Sequence, residues 1–390
     1  MKKSLLALAA MGAFVGTVQA QSSVTIYGII DTSYLSTETK SAAAVPVTAK
    51  QSTIGHDGAM NGTRLGFRGT EDLGGGMRAN FTIEMGINTT DDGMVANASN
   101  RNSFVGLSDS KLGEIRLGRF ATLNKLINDS TVFGGASFNG TNGGATSGWG
   151  WAAQANGAGV SNERINNALH YISPTFSGAN IQLQLVDDVN DATTADAPKT
   201  MVKGYFVGAN YATGNVAVRY ARKEVKSEQA AVAAAAVSPN TTLRLDPVFG
   251  LISTFAAAQT TGVAAVEETQ VTQDSILASY NFGVANVVAT YNNTTSSPLT
   301  AALETKRSDL TIGASVPLGK TTLLAQYSQG TQKAVGTQDD KLTGLQLGAV
   351  YNLSKRSNIY AAYGTGKNKD GATDREGTDT VMALGVRHTF

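Results

Sequence analysis

The residues that could perform acid–base or metal chemistry are few and far apart in this sequence. It contains three histidines, His56, His170 and His388, and no cysteine. Thiolate nucleophiles, disulfides and sulfur-bound metals are therefore excluded. None of the histidines has the serine or carboxylate spacing typical of a catalytic triad or a zinc site. The GTGK motif at 364–367 lacks the earlier glycine and the Ser/Thr of a phosphate-binding loop. We therefore expect neither an enzyme nor a cofactor.

Arginine is the residue type whose spacing does suggest a role. In GTRLGFR (62–68), Arg64 and Arg68 fall on one side of a two-residue period, and Leu65 and Phe67 fall on the other. This alternation is typical of a strand whose two faces meet different environments. Because one face carries two permanent charges, the sequence predicts an aqueous environment on that side and an apolar one on the other.

The elements that must position these arginines follow the same pattern along the whole chain. Segments such as MRANFTIEM and ANIQLQLV alternate apolar with polar residues, which is typical of β-strands. Sixteen such segments lie near 24–36, 62–71, 77–88, 101–109, 113–120, 164–173, 178–187, 202–212, 215–225, 273–282, 284–293, 306–316, 320–331, 341–352, 357–367 and 379–390.

The connections between the segments alternate between short and long. The long polar stretches lie at 37–61, 89–100, 121–163, 188–201, 226–272, 294–305, 332–340 and 368–378, with short turns between them. This arrangement is typical of outer-membrane barrels, which have periplasmic turns and longer external loops. We therefore predict an all-β fold, a 16-stranded antiparallel transmembrane β-barrel. A barrel of this size holds water, so polar side chains can face its lumen.

The N-terminus and the overall charge agree with this class. Residues 1–20 have a basic start, an apolar stretch and Val18-Gln19-Ala20 as a cleavage site, which predicts a secretory signal peptide and a mature chain over 21–390. Without Lys2 and Lys3, 29 basic residues (31 − 2) oppose 30 acidic ones. This balance gives no basic field for nucleic acid. The mature chain has no apolar run of the ~18 residues that a membrane helix needs.

Two of the long connections differ from the rest. Loop 226–272 is rich in Ala, Thr and Val, and we interpret it as a variable external loop. Loop 121–163 is rich in Gly, Asn and Ser and contains GWGW at 148–151. Loops of this length without structure of their own are unusual and are often functional.

Several motifs together resemble one known family, the general porins of Gram-negative bacteria, which are trimeric and 16-stranded, most of all their β-proteobacterial branch. These motifs are QSSVTIYGIID, TRLGFRGTEDLGGG, RNSFVGLSDSKLGEIRLGR and the ending GVRHTF. The resemblance implies that the long third loop, 121–163, folds into the lumen and narrows it. It also implies a homotrimer in the outer membrane, in contact with lipid and lipopolysaccharide and inserted by the barrel-assembly machinery.

The resemblance also implies which residues form the constriction. The family's wall arginines match Arg64, Arg101 and Arg164, and Phe133, Gly134 and Gly135 match the Phe-Gly-Gly of its loop motif. Thr131-Val132 stands where the family has Pro-Glu, so the loop lacks that acidic residue. Lys125 and Asp129 are the nearest charged residues before the motif.

Fixed charge at a narrow neck sets the ion selectivity of a pore. Because the loop lacks this acidic residue, we expect a preference for anions rather than cations. The alternative role for each arginine is to hold the loop by hydrogen bonds to its carbonyls. For Arg101 the strand period is ambiguous, because it shares its phase with the apolar Val105 and Leu107.

Further charges are expected at a second level of the lumen, and two residues are expected to act elsewhere. The second-level charges are Arg68, Arg116, Arg78 and Glu84. Arg119 shares a phase with Ile115 and Leu117, so it is predicted to face outward at a subunit interface, since a charge facing lipid is costly. Phe390 matches the terminal aromatic that serves as the assembly signal in porins; it would also fit an interfacial aromatic girdle.

The function expected is passive diffusion of small hydrophilic solutes and ions. Two other classes stay open. A substrate-specific channel would use lumenal aromatics, for which Tyr27, Trp149 and Trp151 are candidates. A surface adhesin or structural barrel would conduct no ions.

Overall fold

The computed structural model describes residues 23–57, 59–87, 100–133, 164–190, 200–230, 266–298, 304–334 and 338–390. The predicted signal peptide, Gly134, Gly135, Trp149 and Trp151 lie outside these residues. The strands are β1 Ser23–Lys40, β2 Thr48–Asp57, β3 Arg64–Gly74, β4 Met77–Gly86, β5 Asn100–Asp109, β6 Gly113–Ala121, β7 Arg164–Ile172, β8 Ala179–Asn190, β9 Thr200–Thr213, β10 Val216–Ala230, β11 Val266–Asn281, β12 Asn286–Pro298, β13 Thr305–Leu318, β14 Thr321–Ala334, β15 Asp340–Asn352, β16 Ser357–Lys369 and β17 Glu376–Thr389.

These strands form one closed antiparallel sheet. From β3 onward each strand pairs with the next, and β1 pairs with β17, β2 and β3. The second position in the barrel is divided between two strands. The first half of β1 pairs with β3, and its second half pairs with β2. The seventeen strands therefore fill sixteen positions, and the prediction of a 16-stranded antiparallel barrel is confirmed.

Two loop boundaries predicted from the sequence were wrong. The segment 37–61 contains the end of β1 and all of β2, and 226–272 contains the end of β10 and the start of β11. These extensions carry polar residues on both faces, so they show no alternation. They remain strands because the pairing of backbone N–H and C=O groups needs no apolar face. Residues 231–265 lie outside the described part of the chain.

The two faces of the barrel differ as the alternation predicts. On β11, Gln273 and Ser275 are fully buried, whereas Ile276, the next residue along the strand, is 44 % exposed. Leu117, Leu185 and Leu384 likewise point away from the barrel and are exposed. Closure of the barrel pairs the strand backbones with one another, as lipid requires. The exposed apolar side chains therefore form the outer surface of the barrel.

Among the described residues of the third loop, one helix directly follows β6. It is α1, Leu123–Asn128. Thr122 caps it, since its side-chain oxygen accepts a hydrogen bond from the Lys125 backbone N–H. Among the described residues, no helix is long and apolar enough to cross a membrane.

Candidate pore constriction

Arg64 and Arg68 lie on the inner face of β3, next to Tyr27 of β1. The Arg68 guanidinium carbon lies 5.3 Å from the centre of the Tyr27 ring, a cation–π distance. The Tyr27 ring lies over Gly66, where any side chain would collide with it. Gly66 therefore leaves space for the tyrosine between the two arginines. Leu65 and Phe67 alternate onto the other face, as the pattern of GTRLGFR predicts.

Arg101 reaches the same inner face because of a β-bulge. In the pairing of β4 with β5, Ile83 is opposite Ser103 but Met85 is opposite Asn100, so β5 has one extra residue between them. A bulge changes which side the following residues face. The ambiguous phase of Arg101 is resolved in this way, and its Nε lies 2.5 Å from Glu84 Oε1.

Glu84, which was expected at the second level, pairs directly with Arg101. Besides Arg101, it accepts a hydrogen bond from the Tyr27 hydroxyl at 3.1 Å. The side chains of Arg101 and Glu84 are only 19 % and 11 % exposed. The positive charge of Arg101 is thus largely compensated within the wall.

Arg64 differs from Arg101 in its partners. It interacts electrostatically with Arg101, Glu84 and Asp129, which places these charges in one region. Within the described part of the chain, the Arg64 side chain makes no hydrogen bond and no ion pair. We call Tyr27, Arg64, Arg68, Glu84 and Arg101, on β1 and β3–β5, the arginine wall.

Residues 122–133, the described beginning of the third loop, pack against the inner face on the other side of the barrel. Asn124 Nδ2 donates to Ser275 Oγ at 2.9 Å, and Asn292 Nδ2 donates to Asn128 Oδ1 at 3.2 Å. Arg219 donates to Ser130 Oγ at 2.8 Å. We call this inner face of β10–β15 the anchoring wall. The segment therefore leaves β6 and contacts strands far from it in the barrel.

Val132 and Phe133 complete this attachment with apolar contacts. Phe133 is 2 % exposed and belongs to a buried cluster with Leu324, Val350 and Tyr360. A β-carbon added at Gly348 would lie 3.0 Å from the Phe133 ring, so the ring uses the space that this glycine leaves. Residues 134–163, the rest of the predicted constriction loop, lie outside the described residues.

Lys125 and Asp129, the predicted charges of the loop, pair with each other. Lys125 Nζ lies 3.0 Å from Asp129 Oδ1, one helical turn away. Arg164 opens β7 opposite Ala121, at the other end of the same loop, and it is half-buried. The described contacts thus bring Arg64, Arg101 and Asp129 together, and Arg164 lies at the start of β7.

The other predicted charges lie outside this cluster. Arg116 pairs with Glu114 at 2.7 Å and stacks on Phe104 at 4.7 Å, and exposed Arg78 lies beside the β3–β4 turn. Arg119 bonds to Asn166 on the outer side of the barrel. Phe390 is bound through its backbone to Gly28 by hydrogen bonds of 3.1 and 3.2 Å. The last residue is therefore part of the β1 edge where the barrel closes.

The amide network that anchors the third loop was not predicted from the sequence. Its members are Asn124, Asn128, Gln184, Ser275 and Asn292. The only local signal was Thr122 followed by Leu123, Leu126 and Ile127, a cap and apolar spacing typical of a short helix. The partner residues lie up to 164 positions away in sequence, so no local pattern identifies them.

The comparisons with known proteins agree with this geometry. The family model described as "Gram-negative porin" matches residues 7–371. The outer membrane porin protein 32 of Delftia acidovorans is 32 % identical over the full length of both chains. An outer membrane porin protein of Bordetella pertussis is 29 % identical, also over the full length of both.

A solved structure, the anion-selective porin from Comamonas acidovorans, superposes with a TM-score of 0.66 at 26 % identity, covering 95 % of this chain and 100 % of that one. The OmpT barrel of Vibrio cholerae, at 16 % identity and a TM-score of 0.60, shares the fold. With a closed barrel whose polar face is inside, these matches show that the chain belongs to the Gram-negative porins and forms an outer-membrane channel.

Proposed function

We propose that this porin is a passive diffusion pore with a preference for anions, and that Arg64 is the residue that contributes most to this preference. The observation that carries the proposal is the difference between Arg64 and Arg101. Glu84 compensates Arg101, whereas Arg64 has no direct counter-charge among the described residues. A fixed charge in a narrow neck attracts counter-ions strongly because low-dielectric walls focus its field.

The net charge of the residues near the neck is positive, which also favours anions. Arg64, Arg101 and Lys125 oppose Glu84 and Asp129, which leaves 3 − 2 = +1 for this group. Arg164 would add to it. The anion-selective porin of Comamonas acidovorans, which resembles this chain over its whole length, is consistent with this sign.

The test is the reversal potential of the purified protein in a planar bilayer with a potassium chloride gradient. Arg64→Gln is compared with Arg68→Gln, a matched control four residues away on the same face of β3. We expect Arg64→Gln to reduce the chloride-to-potassium permeability ratio severalfold, and Arg68→Gln to reduce it less. A cation-selective wild-type pore would rule out the anion preference.

The remaining parts of the proposal concern the whole assembly. Loop 121–163 narrows the lumen, three subunits associate with Arg119 near their contact, and lipopolysaccharide surrounds the trimer. Cleavage follows Ala20, and the assembly machinery recognises Phe390. Mass determination of the mature chain and light scattering of the detergent-solubilised protein test the cleavage and the trimer.

A substrate-specific channel is the second candidate, and Tyr27 favours it. Its ring stacks with Arg68 and its hydroxyl bonds to Glu84, so an aromatic residue lies within the arginine wall. Saturable block of the current by one solute would distinguish this class from a general pore. A complete lack of conductance would instead point to an adhesin or structural barrel. No step in any of these functions needs an energy source, a catalytic group or a cofactor.

A further inference from the structure

A recess of about 310 Å³ opens in the lumen wall beside residues 131–133. Its lining includes Phe133, Leu324, Val350, Thr322, Asn61 and Arg387. Thr322 follows the short turn between β13 and β14, and Arg387 lies three residues before the C-terminus. Because short turns face the periplasm in outer-membrane barrels, the recess lies on the periplasmic side of the loop segment.

One side of the recess is apolar and rigid. Phe133, Leu324 and Val350 are each less than a tenth exposed and belong to one packed cluster. An apolar cavity of about 150 Å³ is already large enough for benzene. The recess therefore has room for a single ring with a polar substituent.

The other side presents the guanidinium of Arg387, which is held in place by a chain of hydrogen bonds. Arg387 donates to Asn61 Oδ1, and the Asn61 backbone N–H donates to Asp31 Oδ2 at 2.7 Å. The buried Asp31 carboxylate also accepts from Met60 N at 3.2 Å and from the Tyr360 hydroxyl at 2.5 Å. Its oxygens are occupied by three donors, so it fixes Asn61.

Arg387 keeps unused hydrogen-bonding capacity. An arginine has five N–H donors in a planar fork that fits a carboxylate. Among the described residues, only Asn61 accepts a hydrogen bond from Arg387. A fixed cation next to an apolar surface is the arrangement that binds an organic anion with an apolar body.

We infer that this recess binds small monocarboxylates with a ring-sized apolar group, with the carboxylate on Arg387 and the ring against Phe133 and Val350. The inference rests on the proposed function only in that the lumen must conduct. It does not depend on the anion preference at Arg64. A solute held here would interrupt the current, so the recess would act as an affinity site below the constriction.

The experiment measures block of the bilayer current by benzoate, with acetate and neutral benzamide as comparison solutes. Three variants are compared with the wild type. Arg387→Gln removes the cation, Thr322→Phe fills the recess but keeps the cation, and Arg78→Gln removes a lumenal charge elsewhere. Reversal potentials in potassium chloride, measured on the same channels without benzoate, test the anion preference separately.

We expect benzoate to block the wild type, and to act faster from one chamber because the recess is on one side of the loop. Arg387→Gln should weaken the apparent affinity about tenfold, the effect of losing one charged hydrogen bond. Thr322→Phe should abolish the block, and Arg78→Gln should leave the affinity unchanged. Acetate and benzamide should block at least tenfold more weakly, because each lacks one of the two interactions.

Three results would overturn the inference: no block of the wild type, equal block in Thr322→Phe and the wild type, or equal weakening by Arg78→Gln and Arg387→Gln. The last result would show that only the general lumenal charge matters. Each variant that conducts as a trimer is folded, so these outcomes do not depend on stability.

Discussion

The arginine wall and the anchoring wall face each other across the lumen and use polar residues in opposite ways. On the arginine wall, charged side chains are partly compensated, and Arg64 faces the lumen without a direct partner among described residues. On the anchoring wall, amides and hydroxyls such as those of Asn124 and Ser275, together with Arg219, hold the beginning of the third loop. One wall therefore supplies an electrostatic field, and the other holds the loop in a fixed geometry in which that field acts.

The largest effect on the current should come from removing the loop whose beginning the anchoring wall holds. Replacing residues 134–163 with two glycines should roughly double the single-channel conductance, because the narrowest part of a pore limits its current. The measurement is single-channel recording at constant salt. A control that shortens residues 231–265, part of the loop predicted from the sequence to be external, should conduct like the wild type. Unchanged conductance after the first deletion would mean that the loop does not narrow the lumen.

The next test weakens the attachment without removing the loop. Phe133→Ala deletes a buried aromatic ring, a change that costs about 3–5 kcal/mol in a packed core. The barrel itself should stay folded, so the weaker attachment should let the loop detach at intervals. We expect this motion to increase the noise of the open-channel current. Phe282→Ala, at an exposed turn with 59 % of the side chain accessible, is the matched control. Equal noise in both variants would argue against an anchoring role for Phe133.

A smaller effect should come from changing the compensation on the arginine wall. Glu84→Gln removes the negative charge beside Arg101, so the anion preference should increase about two- to fivefold if Arg101 then acts like Arg64. The double variant with Arg101→Gln should return toward the wild-type ratio. The permeability ratios of the four proteins form a double-mutant cycle. Additive effects in this cycle would show that the two side chains act independently.

The smallest expected effect concerns a single amide of the anchoring wall. Asn124→Ala removes the bond to Ser275, and one neutral hydrogen bond contributes about 1 kcal/mol. The melting temperature of the purified protein should change little, while current noise should increase slightly. Asn210→Ala loses a similar amide bond, to Asn180, which joins two strands and does not involve the loop segment. If Asn210→Ala raises the noise as much, the amide of Asn124 has no specific role in holding the segment.

Much of the fold could be predicted from the sequence because alternation is a local property. A strand between lipid and water must alternate apolar and polar residues. The sixteen barrel positions could therefore be predicted from the sequence, as could the placement of Leu65 and Arg64 on opposite faces of their strand. Where both faces are wet the signal disappears, which is why β2 was predicted as part of a loop. The candidate charges were predictable as residue types, but their partners were not.

A porin barrel with a polar lumen, and the arginines that could line its neck, could be predicted from the amino-acid sequence. The three-dimensional structure was needed to see that a bulge turns Arg101 inward, that Glu84 compensates it, and that Arg64 has no such partner among the described residues. It also decided where the third loop begins to attach. The physical reason is that alternation depends on neighbours in the chain, whereas charge pairing and anchoring depend on strands brought together by closure of the barrel.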